Sequence, residues 1–367
     1  MSATGAAGDT VLARVQGRLG RLTLNRPRAI NALDHAMVDA LRDALAGWER
    51  DDAVAAVLVD GAGERGLCAG GDIRAIHASA RDGDRRAAAF WRDEYLLNAH
   101  IARYAKPYAA FMDGVVMGGG VGVSAHGSVR IVTERTVVGM PETTIGFVPD
   151  VGGTYLLSRT PGETGTHLAL TAGSVGAGDA LYLGLADHFV PSDRLPDLAA
   201  ALAEAASADG VADAVGRFAE TAPAPDLRGR RHWIDSCYAA GTAEEIVERL
   251  RAHGDRGAAE AADTIAAKSP TAVKVTLAAL RRARELPGLE EVLEQEYRVS
   301  CAALASPDVV EGIRAQVVDK DRSPKWVPDT LEAVTDEDVA RHFVPAPDGP
   351  LGLAAARASE PEAGAAG

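Results

Sequence analysis

The residues best suited to chemistry lie in one stretch, Met112 to Gly153, which reads MDGVVMGGGVGVSAHGSVRIVTERTVVGMPETTIGFVPDVGG. Gly118, Gly119 and Gly120 stand together at the head of a segment with helical character. Glycine inside a helix costs about 1 kcal/mol, so three in a row fit a close backbone approach at a helix start better than a helix interior. Glu142 follows Pro141, whose ring fixes its own φ and stiffens the approach to the carboxylate. Asp150 stands between Pro149 and Val151-Gly152-Gly153, with Ile145, Phe147 and Val148 nearby. An acid in apolar surroundings has a raised pKa and can donate a proton near neutrality. Two plainer readings stand beside these: Glu142 as a solvated loop acid, and Asp150 as the cap of the helix that follows.

A second glycine-rich site, Cys68-Ala69-Gly70-Gly71-Asp72, follows a strand expected to end near Asp60. Asp72 can start a helix, which would leave the amide of Gly71 pointing outward. One amide from each loop, Gly71 and Gly119, could hold a carbonyl oxygen as it becomes negative. Removing one such donor typically costs about 3 kcal/mol of barrier. A simple tight turn is the alternative at Gly70-Gly71.

Two other patterns invite chemistry and fit it poorly. Gly61 to Gly66 matches GxGxxG, but Gly66, Gly70 and Gly71 interrupt the helix that a dinucleotide site needs. Gly122-Val-Ser124-Ala-His126 lacks the final glycine of a nucleophile elbow. Ser124 beside a glycine-rich loop nevertheless keeps a serine hydrolase among the readings. The nine histidines show no paired metal spacing.

The elements that must position these residues alternate. Val11–Val15 and Arg18–Leu24 read as strands, and Asp34 caps a helix to about Arg50 on the spacing of Met37, Val38, Leu41, Leu45 and Trp48. Ala53–Val59 is a buried-strand run, Gly61–Gly71 a loop, Asp84–Tyr104 a helix and Tyr108–Met112 a strand. Strands alternating with helices argue for an α/β domain. Beyond about Ser192 the strand signals fade. Helices are expected at Thr242–Gly254, Ala258–Lys268, Ala272–Glu285, Leu289–Ala305 and Val309–Val318, with a hinge at Pro223–Pro225. The expected division is a core over 10–200, a helical region over 201–340, and flexible tails at 1–9 and 345–367.

The chain of 367 residues is 47% hydrophobic and 25% charged, which is globular composition. Its net charge of -14 argues against nonspecific binding to nucleic acid or anionic membrane. It leaves room for an anionic small ligand, because a few local basic groups can dominate a pocket. Cys68, Cys237 and Cys301 form no metal or redox spacing and suit a reducing, cytoplasmic setting. No secretory signal and no apolar run of ~18 residues stands out.

LNRPRAINAL (Leu24–Leu33), LCAGGDI (Leu67–Ile73), MGGGVGV (Met117–Val123) and MPETTIGFVPDVGG (Met140–Gly153) together resemble the crotonase superfamily, and within it the 3-hydroxyisobutyryl-CoA hydrolase family. SPTAVK, EYRVS and EGIRAQVVDKDRSPKW extend the likeness to Trp326. The resemblance implies a spiral of ββα units with a helical C-terminal region, a coenzyme A thioester substrate and an oxyanion hole at Gly71 and Gly119. It places Glu142 and Asp150 as the catalytic acids. It puts the coenzyme A end near Arg26, Arg28, Ala29, Ala69 and Asp72, and charge and position add Lys325. Hydratases of this type carry a second glutamate where Gly122 stands here, so addition of water to a double bond is not expected. A hydratase or isomerase of the same superfamily and an inactive coenzyme A-binding protein remain the alternatives. No cofactor or metal is expected, and a homo-oligomer is left open.

Overall fold

The computed structural model describes residues 9–353. Ten strands in that range build two sheets: β1 (Val11–Gln16), β2 (Leu19–Leu24), β3 (Ala56–Gly61), β4 (Gly66–Cys68), β5 (Tyr108–Met112), β6 (Val115–Met117), β7 (Val129–Val132), β8 (Val137–Gly139), β9 (Ser174–Val175) and β10 (His188–Phe189). The larger sheet runs β1-β2-β3-β5-β7-β10 and the smaller β4-β6-β8-β9. β1 is antiparallel to β2, and β8 to β9. The other pairings are parallel. The pairs β3–β4, β5–β6 and β7–β8 each send one strand to each sheet before the chain turns into helix. That is the repeated ββα spiral the sequence resemblance implied.

Five helices follow the strands of this core: α1 (His35–Glu49), α2 (Ile73–Asp82), α3 (Arg86–Ala102), α4 (Gly119–Ser124) and α5 (Gly153–Ser158). Asp34 accepts a hydrogen bond from the Met37 amide and starts α1, which buries Met37, Val38, Leu41 and Leu45. Along β3, Val57 and Val59 face one core cluster while Ala56 and Leu58 face another. The strand is covered on both sides, so its sequence is a continuous apolar run rather than an alternation.

The boundary expected near residue 200 does not separate two cores. Helices Leu195–Glu204 and Ala208–Phe218 send Leu195, Leu198, Leu202, Val211 and Val215 onto Leu19, Leu58, Phe111 and Ile131, covering the outer face of the larger sheet. At the expected hinge Pro223 and Ala224 are exposed, but the backbone passes close to the core, with the Pro223 carbonyl 2.3 Å from where a Cβ on Gly178 would stand. Later helices return to the catalytic core: Pro270–Glu285 lies on α5, Leu289–Ala303 on α3, and Pro307–Ile313 on α2.

The tail expected from residue 345 is also corrected in part. Glu294 accepts hydrogen bonds from the amides of Leu351, Gly352 and Leu353 at 3.0, 2.6 and 2.9 Å. Arg92 donates to the carbonyls of Asp348, Gly349 and Pro350, and Leu351 and Leu353 are buried. A composition of alanine, glycine and proline hid two anchoring leucines and the buried acid that receives their backbone. The rest of the expected tails, 1–8 and 354–367, lies outside the described residues. No described helix is long and apolar enough to cross a membrane.

Candidate active site

β4 and β6 are parallel neighbours in the smaller sheet, with Cys68 beside Val116. The loops leaving their C-terminal ends therefore lie side by side. One carries Gly70-Gly71; the other carries Gly118 and opens α4 at Gly119. A Cβ on Gly119 would stand 3.4 Å from the Gly71 nitrogen, so the two amides are neighbours. Neither N–H donates to a protein acceptor among the described residues, and both glycines line a cavity of about 190 Å³. Gly118 has φ 48° and ψ −119°, a backbone shape closed to residues with a Cβ. A Cβ there would also meet Glu142 Oε1 at 2.8 Å.

Asn31 anchors the first loop from beneath. Its buried amide donates to the carbonyls of Ala62, Gly66 and Leu67, while its Oδ1 accepts from the Arg26 amide. Ile30 and Asn31 both have positive φ, and the Ile30 carbonyl accepts from the Ala69 amide at 2.9 Å. The motif around Asn31 is thus a brace for the Gly70-Gly71 loop.

Glu142 opens a short 3-10 turn, Glu142–Ile145, directly after β8. It is 7% exposed, and its Oε2 has no hydrogen-bond partner. Asp150, 5% exposed, accepts from the Tyr95 hydroxyl at 2.7 Å, and that hydroxyl in turn meets Ser300 Oγ at 2.7 Å. Both acids line the cavity, as does a third, Glu94 of α3. Glu94 is 2% exposed, its Oε1 has no partner, and that oxygen lies 2.6 Å from where a Cβ on Gly119 would stand.

Burial raises all three acids. It pushes the Asp150 carboxyl up to about 7, against the opposing pull of the Tyr95 hydroxyl. It holds Glu142 and Glu94 well above the usual carboxylate range, and the nearby Asp150 charge adds to the effect in each. Like charges confined this closely cannot all ionise. Near neutrality these carboxyls therefore keep much of their proton complement, and any one of them that serves as a base must first give up its own proton.

Asp150 does not cap α5, as one reading of the sequence allowed. Glu296, arriving from helix Leu289–Ala303, accepts from the amides of Gly152 and Thr154 and from Thr154 Oγ1. Burial raises Glu296 to about 8. Val151, next to Asp150, has φ 53°, a costly conformation for a β-branched residue. His126 Nε2 bonds the Val151 carbonyl at 2.8 Å and helps to fix it.

Of the residues expected at the site, Gly71, Gly119, Glu142, Asp150 and Ala69 line the cavity together. Arg26 does not present a free charge: it donates to Asp72 Oδ2 and the Ala32 carbonyl, and it lies 3.5 Å from Asp34. Arg28, Ala29 and Lys325 are exposed and do not line the cavity. Ser124 is fully buried in α4 with its Oγ on the Gly120 carbonyl at 2.6 Å, so it cannot serve as a nucleophile. The sequence reading missed Glu94 and Glu296. Glu94 shares its helix's buried face with Asn98, and Glu296 shares its own with Glu290, Glu294 and Gln295, so neither stands out as a lone polar residue in an apolar run.

Gly122 carries no carboxylate, as the sequence showed, but the acid count around the carbonyl site is three because Glu94 enters from α3. Absence of an acid after the glycine triplet therefore does not by itself exclude hydration of a double bond.

Residues 19–343 match the family model described as enoyl-CoA hydratase/isomerase, and the chain belongs to that family. Among curated relatives, the mitochondrial 3-hydroxyisobutyryl-CoA hydrolase of Danio rerio is 41% identical over 344 residues, covering 92% of this chain and 90% of the relative. The Homo sapiens protein of the same name is 40% identical over 344 residues, covering 92% and 89%. Among solved structures, a carnitinyl-CoA dehydratase from Mycobacterium thermoresistibile aligns with a TM-score of 0.89 and 54% identity, over 93% of this chain and 98% of that one. An enoyl-CoA hydratase from Rhodobacter sphaeroides aligns with a TM-score of 0.87 and 43% identity, over 94% and 99%.

Proposed function

We propose that this chain hydrolyses the thioester of a short 3-hydroxyacyl-CoA, with 3-hydroxyisobutyryl-CoA as the substrate and valine breakdown as the setting. The observation that carries the reading is that Gly71 and Gly119, whose amides have no partner among the described residues, line one cavity with Glu142, one of whose oxygens also has none there. Support for the acyl group comes from curated hydrolases about 40% identical over most of both chains.

In this reading the thioester oxygen sits between the two N–H groups, which stabilise it as the carbonyl carbon becomes tetrahedral. Glu142, beside the Gly118 loop, acts in its ionised form, which burial and the neighbouring acids leave as the minor form near neutrality, and it acts in one of two ways. It takes a proton from the attacking water, or it attacks the carbonyl itself and the resulting anhydride is then hydrolysed. The sulfur leaves with a proton from an acid held protonated by burial, Asp150 or Glu94. The products are the free hydroxy acid and coenzyme A, and the protein's own groups balance the protons without a metal or redox cofactor.

Glu94 and the names of the two solved neighbours favour a second reading, hydration or dehydration at the double bond of an enoyl-CoA. One experiment separates the two. The protein is given 3-hydroxyisobutyryl-CoA with a thiol reagent, and separately crotonyl-CoA with the conjugated thioester absorbance recorded. Thiol release from the first, with stable absorbance in the second, is the expected result. Loss of absorbance without thiol release would sink the hydrolase.

A further inference from the structure

A second cavity of about 290 Å³ lies behind the catalytic one, between α1, α2 and α3. Ile76 and Phe90 line both cavities. The Phe90 ring is the larger part of this partition. Its edge lies 3.4 Å from where a Cβ on Gly71 would stand, so it borders the loop that supplies one oxyanion amide. On the other side it packs edge-on against His35, with centroids 6.1 Å apart at 82°. The residue is 8% exposed.

Part of the remaining wall of the catalytic cavity resists an alkyl chain, and Ile73, Ile145, Val309 and Ile313 make up much of the rest. Trp91 is stacked on Phe147 at 5.1 Å and 10°, and Glu94, Glu142 and Asp150 present buried carboxyls that an alkyl chain would leave unsolvated. Behind Phe90 the surroundings suit alkyl groups: Leu33, Ala75, Ile76 and Ala87 line the space. The charged residues at its rim are already paired, Asp34 and Asp72 with Arg26, and Arg86 with Asp82 and Asp84.

We propose that Phe90 is the residue that limits acyl length: its ring ends the acyl pocket, and without it the two cavities join into a channel for straight-chain 3-hydroxyacyl groups. The inference rests on the acyl-CoA reading given above. It predicts a short-chain enzyme that one truncation converts to longer chains.

The test compares wild type, Phe90→Ala, Phe90→Leu and the double variant Phe90→Ala with Ala75→Phe, which refills the rear cavity from its exposed side. Thiol release is measured with 3-hydroxybutyryl-, 3-hydroxyhexanoyl- and 3-hydroxyoctanoyl-CoA. The ratio of kcat/KM for the octanoyl ester to that for the butyryl ester is expected to rise roughly tenfold or more in Phe90→Ala. It should rise less in Phe90→Leu, which keeps more of the packing, and fall back in the double variant. An unchanged ratio in both single variants, or a gain that survives refilling, would overturn the role of Phe90. S-octyl-CoA, a thioether that cannot be hydrolysed, supplies a readout independent of activity. Calorimetry should show tighter binding to Phe90→Ala than to wild type. If wild type releases no thiol from any ester while this binding gain appears, the hydrolase reading fails and the partition stands. If thiol is released but binding and chain-length profile are unmoved, the partition fails and the hydrolase stands.

Discussion

At the scale of single residues, the candidate site is defined by groups without partners among the described residues. Buried polar atoms are nearly always hydrogen-bonded, so orphaned carboxylate oxygens on Glu94 and Glu142 beside two free amides mark a place where something else binds. Glu142→Gln keeps shape and removes the ability to ionise and accept a proton. Hydrolysis should fall about 10²–10⁴-fold while the melting temperature holds or rises, and full activity in this variant would refute its role. Glu94→Gln tests the acid that the sequence reading overlooked. A loss of tenfold or more in kcat is expected if Glu94 shares the protons of the site; unchanged kcat would reduce it to a lining group. Gly122 gives a complementary expectation. A Cβ there would meet Val151 Cβ at 2.7 Å and Asn98 Nδ2 at 2.8 Å, so a glutamate has no room to enter as it does in a hydratase. Gly122→Glu should lower stability by at least 1–3 kcal/mol in a denaturant titration and should not create crotonyl-CoA hydration. Efficient hydration by a stable Gly122→Glu protein would show that this packing is not the barrier.

At the scale of elements, the site depends on a helix that arrives late in the chain. Helix Pro307–Ile313 lies against the Glu142 turn through two glycines. A Cβ on Gly312 would meet the Ile145 carbonyl carbon at 2.4 Å, and one on Gly146 the Asp308 carbonyl oxygen at 2.5 Å. Gly312→Ala should therefore push the helix off the turn, costing about 1–3 kcal/mol of stability and lowering kcat more than a surface change of equal stability would. A melting curve and kcat indistinguishable from wild type would count against this dependence. Such contacts also explain what could be read from the sequence. The long periodic helices and the buried run of β3 were legible because their patterns span many residues. β4, β6 and β8 have three residues each, too short to show a period, yet β4 and β6 bring the two glycine-rich loops together. Gly71, Gly119, Glu142 and Asp150 were legible because glycine runs and Pro-acid turns are unusual locally. Glu94 was not, since its only mark is an acid among Trp91, Tyr95, Leu97 and the equally buried Asn98. The helix expected to reach Val318 ends at Ile313 and continues as a π-helical turn, Arg314–Val318, which brings Gln316 to the cavity wall. A shift from one helical hydrogen-bond pattern to another leaves no trace in side-chain periodicity.

At the scale of the whole molecule, gathering Glu94, Glu142, Asp150 and Glu296 into one interior couples stability to pH in a direction opposite to that of an ordinary acid-labile protein. Burial raises each of these groups in the folded state. The folded chain therefore holds more protons than the unfolded chain wherever pH exceeds the ordinary carboxylate values, and stability falls as pH rises through the folded values. For Asp150 and Glu296 the loss extends to about 7 and about 8. Buried histidines act in the opposite sense, but lower down. His126 and His167 are depressed to about 4 by burial, so their effect is complete once pH passes their ordinary value of 6.5. Between that value and about pH 8 the acids prevail, and the melting temperature should decline across this interval. Asp150→Asn removes one of the charges that the interior resists. Its stability should exceed that of wild type at pH 8 by on the order of 3 kcal/mol. The advantage should shrink steadily as pH is lowered towards the ordinary Asp value of 3.8 and vanish only below about pH 3, where wild-type Asp150 is protonated in both states. Denaturant titrations of the two proteins at a series of pH values measure the difference directly. A constant offset across the series would mean that the variant acts through packing, and that Asp150 is not held protonated by its burial.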